Sequence, residues 1–200
     1  MSYFVMVGEG PYPSVSIDKQ PDLPGGPWYH GSVLKISVPN NLQYTLDVKK
    51  PWYDEDDEEW ITSPSNPKTF YSSKAFPVMR TDMLEVLLAA GVDNLETFPA
   101  QLIDEVNDKI YDNYVAFNII GLVAAADLGK SELMPHSPGA TMLDTDFHSL
   151  VIDESKTKGL LLFRLAENCS AIMVHHSIKN AIEAKGIPGI VFYADGEWAG

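Results

Sequence analysis

The sequence is poor in cysteine, in basic residues and in long apolar runs. Its one cysteine, Cys169, excludes an internal disulfide and a cysteine-rich zinc site. Its 14 lysine and arginine residues stand against 28 aspartate and glutamate residues. The resulting formal net charge of −14 excludes the basic surface with which proteins bind nucleic acid. No window approaches about 18 uninterrupted apolar residues, so we expect no membrane-spanning helix.

The N-terminal residues MSYFVMVGEGPYP lack the basic start, the sustained apolar core and the cleavage site of a signal peptide. We therefore expect a cytoplasmic protein. Hydrophobic residues make up 45% and charged residues 21% of the chain, which is typical of a folded globule and not of a disordered chain. Two interpretations of the acidic charge stay open: the protein is simply soluble, or it binds a basic partner.

Hydrophobic periodicity predicts an α+β fold. Apolar residues at helical spacing predict a helix from Thr81 that stops at Gly91, and a second helix from His176 to Lys185 ends at Gly186. The remaining pattern favours strands, and we expect a largely antiparallel sheet with a few helices packed on it. The predicted strands are Tyr3–Val7, Ser32–Val38, Tyr44–Val48, one long, bent strand over Asn113–Gly121 and Leu122–Ala126, Ser149–Ile152, Leu160–Leu165, Ala171–Val174 and Gly189–Tyr193.

The composition changes along the chain without indicating a second independent domain. Residues 1–69 are rich in proline and glycine and contain an acidic loop at 51–67, whereas residues 70–200 carry the clearer sheet-and-helix pattern. No repeat or low-complexity linker separates the two parts. We expect both to belong to one compact domain.

Six consecutive carboxylates, from position 54 to position 59, form the densest charge in the sequence. Such a run is either a solvated loop or part of an interface for a basic partner. Aromatic residues flank it on both sides, and aromatic anchors beside concentrated charge can steer and then hold a partner. The residues of this candidate partner-binding segment are Trp52, Tyr53, Asp54, Glu55, Asp56, Asp57, Glu58, Glu59 and Trp60.

No local motif predicts catalysis, a cofactor or a metal. Gly129-Lys130-Ser131 lacks the earlier glycine of a phosphate-binding loop, because position 124 is alanine. The adjacent pair His175-His176 lacks metal-ligand spacing, and Cys169 has no activating base nearby in sequence. A catalytic triad could still assemble from distant residues. We expect a protein that is not an enzyme and has no catalytic, cofactor-binding or metal-binding residues.

Arg164 is the charged residue inside the apolar run LLLFRLA. An arginine in such a strand is expected to be buried and to pair with a carboxylate, for which Asp127 and Asp153 are the candidates. We expect its role to be structural.

Three segments of the chain together resemble one bacterial family. They are FYSSKAFPVMRTDMLEVLLAAGVDNLETFPAQL, NYVAFNIIGLVAAADLGKSE and LVIDESKTKGLLLFRLAENCSAIMVHHSIKNAIEAKGIPGIVF. The residues that carry the resemblance are Leu84, Gly91-Val92-Asp93-Asn94, Tyr114, Asn118, Asp127, Ser131, Phe163-Arg164-Leu165, Ile178, Gly186-Ile187, Gly189 and Phe192. Roughly residues 70–193 resemble immunity protein family eleven of bacterial polymorphic toxin systems, previously known as a domain of unknown function. Residues 1–69 resemble that family poorly.

Members of such families are encoded beside a secreted antibacterial toxin, often a nuclease, and protect the producing cell by binding it. The resemblance therefore implies an immunity protein whose partner is a cognate toxin domain, which we expect to be basic. It supplies no catalytic residues, and we expect Asp127, Ser131 and Arg164 to be scaffold. Two alternatives stay open: a small hydrolase that reverses a modification made by the toxin, and an accessory protein of a secretion system.

Overall fold

The computed structural model describes residues 2–9, 15–23, 28–56, 58–61, 66–72, 75–134 and 145–200, and only the backbone at positions 59 and 61. The strands in these ranges are β1 (Tyr3–Gly8), β2 (Ile17–Lys19), β3 (Leu42–Leu46), β4 (Trp52–Asp54), β5 (Glu59–Ile61), β6 (Phe70–Tyr71), β7 (Val78–Arg80), β8 (Leu95–Asp104), β9 (Lys109–Ile119), β10 (Leu122–Val123), β11 (Glu132–Leu133), β12 (Phe147–Ser149), β13 (Leu162–Leu165), β14 (Ile172–His175) and β15 (Ile190–Tyr193). The helices are α1 (Thr81–Ala89) and α2 (His176–Lys185), and a short 3-10 helix spans Glu154–Lys156. These elements confirm the predicted α+β class.

Most strands belong to one of two large sheets, both mainly antiparallel. One has the order β10-β13-β14-β1-β15 and the other has the order β2-β3-β8-β9-β7-β6. The parallel neighbours are β10 with β13 and β3 with β8. Two strands from the first 69 residues take inner positions, because β1 lies between β14 and β15 and β3 lies between β2 and β8. Both sheets therefore combine early and late parts of the chain.

Strand β9 shows how the sequence builds two cores on one sheet. Successive side chains of a strand point to opposite faces. Val115, Phe117 and Ile119 accordingly pack into the cluster that includes both helices, whereas Tyr114 and Ala116 pack into a second cluster on the other face. The long, bent strand predicted over 113–126 is confirmed only in its first part, which is β9 and begins earlier, at position 109. Its second part is the separate strand β10, which lies in the other large sheet.

The two helices cover the first of these clusters. Helix α2 has the predicted bounds, buries Ile178 and Ile182 one turn apart, and ends at Gly186 in the left-handed region with φ 70°. Helix α1 begins at the predicted residue, Thr81, and Arg80 is its N-cap. The helices therefore lie where the sequence pattern places them.

The strand predicted at Ser32–Val38 is wrong, because that segment is irregular. Its polar groups are instead bound by side chains of β8 and β9. Glu96 accepts from the backbone N–H of Leu34 at 3.0 Å, and Asn118 Nδ2 donates to the Ser32 carbonyl at 2.9 Å and to Glu96 at 2.7 Å. A partly buried network of side-chain hydrogen bonds thus replaces a strand ladder.

Candidate protein-binding site

The candidate segment folds as a hairpin of its own. Strands β4 and β5 pair antiparallel, with Trp52 opposite Ile61, Tyr53 opposite Trp60 and Asp54 opposite Glu59. Within the described ranges, this pair forms a separate two-stranded sheet. Residues directly opposite each other share a face, so Tyr53 and Trp60 lie on one face and Trp52 lies on the other.

The aromatic side chains of the hairpin are exposed. Trp52 is 44% exposed, Tyr53 is 48% exposed and Trp60 is 67% exposed. Trp28 and Trp198, by contrast, are only 1% and 8% exposed in the cores. The Tyr53 and Trp60 rings meet edge to face, with their centroids 5.7 Å apart. Large exposed aromatic side chains that cluster beside charged residues are typical of protein-binding surfaces.

The acidic residues at the turn between the two strands differ in their contacts and backbone conformation. Asp54 is half-buried, and its Oδ1 accepts from the backbone N–H of Asp56 at 3.0 Å. Aspartate often closes turns in this way, so Asp54 holds the turn. Glu58 has φ 53°, in the left-handed region that asparagine and glycine adopt more readily than glutamate.

The remaining acids of the run face solvent where the structure describes them. Exposed carboxylates at the turn are those of Glu55, Asp56 and Glu58. Asp57 lies outside the described residues, and Glu59 is described by its backbone alone. The hairpin therefore presents three described exposed carboxylates at its tip, next to aromatic side chains on its strands.

Arg164 is fully buried, as predicted, but the two carboxylates proposed for it pair elsewhere. Asp127 forms an ion pair with Lys130 at 2.7 Å, and Asp153 forms one with Lys156 at 3.3 Å. Arg164 Nη1 instead donates to the Cys169 carbonyl at 2.6 Å. Burial lowers the pKa of Arg164 to about 10.

The Cys169 carbonyl is the partner that sequence reasoning missed. Strands β13 and β14 pair as a hairpin, with residue 164 opposite residue 172, so the short connection between them returns its backbone to the arginine. The signal was the short polar stretch between two predicted strands. A backbone carbonyl oxygen in a loop can accept a hydrogen bond from a buried guanidinium, as a carboxylate oxygen can.

Asp127 and Ser131 join the segment after β10 to the chain before the 3-10 helix. The backbone N–H of Asp127 donates to the Val151 carbonyl at 2.9 Å, and Ser131 Oγ accepts from the Val151 N–H at 2.9 Å. The hydrogen bond from Lys130 lowers the pKa of the Asp127 carboxyl. These contacts lie within the fold, and the structural role of both residues stays a prediction.

One serine–histidine contact bears on the hydrolase alternative. His175 Nδ1 lies 2.9 Å from Ser177 Oγ and 3.4 Å from the Ser177 backbone nitrogen, whose N–H it accepts as the N-cap of α2. Burial, and then the neighbouring imidazole of His176, lower the pKa of His175. Helix capping by a neutral imidazole accounts for this geometry.

The described residues contain neither a group of metal ligands nor a membrane-spanning helix. No group of three histidine, cysteine or acidic side chains there is placed to hold a metal ion. No helix in the same ranges is long and apolar enough to span a membrane. In comparisons with known proteins, neither a family model nor a curated protein matches the chain.

Proposed function

We propose that this chain is an immunity protein that binds and neutralises a cognate secreted antibacterial toxin, such as a nuclease, in the cytoplasm of the cell that produces it. The proposal rests on the resemblance of residues 70–193 to the immunity family and on one structural observation. That observation is the hairpin on which three exposed aromatic side chains adjoin an exposed acidic turn. Such a surface fits a basic protein partner.

Binding alone accounts for neutralisation in this proposal. The net charge of −14 attracts a basic toxin domain over long range, and salt weakens this attraction. Aromatic side chains buried in the complex act mainly on its lifetime, since most affinity differences between related complexes lie in the dissociation rate. The carboxylates at the hairpin tip should thus act mainly on the association rate, and the aromatic rings on its strands should act mainly on the dissociation rate.

The proposal predicts two different kinetic defects. Glu55→Gln, Asp56→Asn and Glu58→Asn combined should slow association with the toxin domain encoded beside this gene and flatten its salt dependence. Asn at position 58 keeps a residue that tolerates the left-handed backbone, and Asp54 is left in place to hold the turn. Trp60→Ala should shorten the lifetime of the complex by roughly tenfold, as an interface anchor does.

A second acidic turn provides the control. The turn between β8 and β9 carries the exposed residues Glu105 and Asp108, and Asp108 has φ 52°. Glu105→Gln with Asp108→Asn should change the long-range attraction slightly and leave the lifetime unchanged. Failure of the wild-type chain to bind the neighbouring toxin would contradict the proposal, and wild-type rates in both hairpin variants would place the interface elsewhere.

A further inference from the structure

The face that carries Tyr53 and Trp60 is an aromatic surface without a described covering element. The two residues lie opposite each other on β4 and β5, and their sheet contains only these two strands among the described residues. A two-stranded hairpin is marginally stable alone in water. The edge-to-face contact of the rings helps to hold it, yet about two thirds of Trp60 stays exposed.

Charge is distributed unevenly along the hairpin. The acids Glu55, Asp56 and Glu58 are exposed at the tip, whereas Lys49 and Lys50 are exposed just before its open end. A cation that contacts the rings therefore meets carboxylates toward the tip. An anion meets repulsion there, in addition to the repulsion from a chain of net charge −14.

We infer that the Tyr53–Trp60 face binds an arginine side chain of a basic protein partner. This inference rests on the proposed function and names the chemistry of the same site. A guanidinium is planar, stacks on aromatic rings and pairs with carboxylates, whereas an ammonium is a compact, strongly hydrated charge. Tryptophan is the best aromatic partner for a cation. The pairing of an exposed tryptophan with nearby acids therefore favours arginine over lysine.

The test uses three peptides of about ten residues that differ only at three positions. These positions carry arginine in the first peptide, lysine in the second and citrulline in the third. Calorimetry at low salt measures the affinity of each peptide for the full-length chain. We expect the arginine peptide to bind about threefold more tightly than the lysine peptide, and the citrulline peptide to bind more weakly than both.

Tryptophan fluorescence then locates the bound peptide. Trp28 and Trp198 are buried, so a change in fluorescence on binding reports mainly on Trp52 and Trp60. A change that survives Trp52→Phe and disappears in Trp60→Phe places the peptide on the inferred face. A change that shows the opposite dependence would overturn the inferred location.

Two substitutions at one position separate the ring from its apolar bulk. Trp60→Leu removes the aromatic ring but keeps an apolar side chain at this position. It should therefore abolish the preference for arginine over lysine. Trp60→Phe keeps a ring and should retain part of that preference. The control Glu105→Gln with Asp108→Asn should retain all of it.

The outcomes for the inference and for the proposed function are distinct. Equal affinity for the arginine and lysine peptides, or a preference that survives Trp60→Leu, would overturn the arginine site even where the toxin binds tightly. Clear discrimination between the peptides with no binding of the neighbouring toxin would leave the arginine site standing and overturn the immunity function.

Discussion

Replacing Arg164 with alanine should lower the free energy of unfolding by about 3–5 kcal/mol. The side chain is 0% exposed within β13, and its Nη1 donates to the Cys169 carbonyl at 2.6 Å. Alanine removes this charged hydrogen bond, leaves the carbonyl without it and opens a cavity in the volume that the long side chain fills. All three effects act in the same direction.

Desolvation of the Arg164 charge and its hydrogen bond to the Cys169 carbonyl oppose each other, and packing adds a third contribution to stability. Burial lowers the pKa of Arg164 to about 10, which corresponds to a desolvation cost of roughly 3 kcal/mol for the charged form. A hydrogen bond to a charged group returns about 1.5–3 kcal/mol. Arg164→Met removes the charge and its hydrogen bond but keeps most of the side-chain volume. It should therefore lower the free energy of unfolding by less than Arg164→Ala does.

Urea unfolding and thermal melting of the two variants and the wild type measure the difference. For a chain of this length, the expected loss in Arg164→Ala corresponds to a Tm decrease of about 10 °C. A melting temperature within about 2 °C of wild type would refute the burial argument. Equal destabilisation by methionine and alanine would refute the claim that packing of this side chain contributes to stability.

Two further predictions concern buried tyrosines. The Tyr44 hydroxyl is fully buried and has no hydrogen-bond partner in the described part of the chain, whereas Tyr71 donates to the Val15 carbonyl at 3.0 Å. Tyr44→Phe should therefore raise the free energy of unfolding by about 1 kcal/mol, and Tyr71→Phe should lower it by a similar amount in the same urea titrations; the reverse order would contradict this. Burial raises the pKa of Tyr71 to about 12 and raises the pKa values of Tyr44 and Tyr114 further. Above pH 10 the folded protein therefore keeps these phenol protons, whereas the unfolded chain releases them. Their contribution to the free energy of unfolding is complete below pH 10 and is lost as the pH rises above it. Each tyrosine should lower the free energy of unfolding by roughly 1.4 kcal/mol per pH unit above pH 10. The lowered pKa of the buried Arg164 offsets part of this loss. A constant free energy of unfolding between pH 10 and pH 11.5 would contradict the prediction.

The C-terminal part of the fold follows closely from the sequence. Strands β13 and β14, helix α2 and strand β15 follow one another with short turns, and each turn has a local signal such as Gly186. Helix spacing and strand runs are local properties, so they can be recognised without knowledge of distant contacts. The burial of Arg164 was predictable for the same reason, since apolar residues adjoin it on both sides.

Strand β8 was not predicted, because its pattern is not local. It contains Glu96 and Pro99, and its buried residues all lie in its second half, from Ala100 onward. Its neighbour β3 pairs only from Ala100 onward, so the proline precedes the paired stretch on that side. The irregular segment at 32–38 has the same cause, since Glu96 and Asn118 bind its backbone from more than 60 residues away. Such long-range polar contacts leave no periodic signal.

The candidate interface shows the same division between local and nonlocal information. The sequence locates the aromatic and acidic residues but treats the six carboxylates as equivalent. In the structure, Asp54 closes the turn, whereas Glu55, Asp56 and Glu58 face solvent. Removing all six charges would disturb the hairpin as well as its charge, and a slower association would then have two explanations. Keeping Asp54 and neutralising the three exposed acids retains the hydrogen bond that closes the turn, so that slower association measures electrostatic attraction by the hairpin tip.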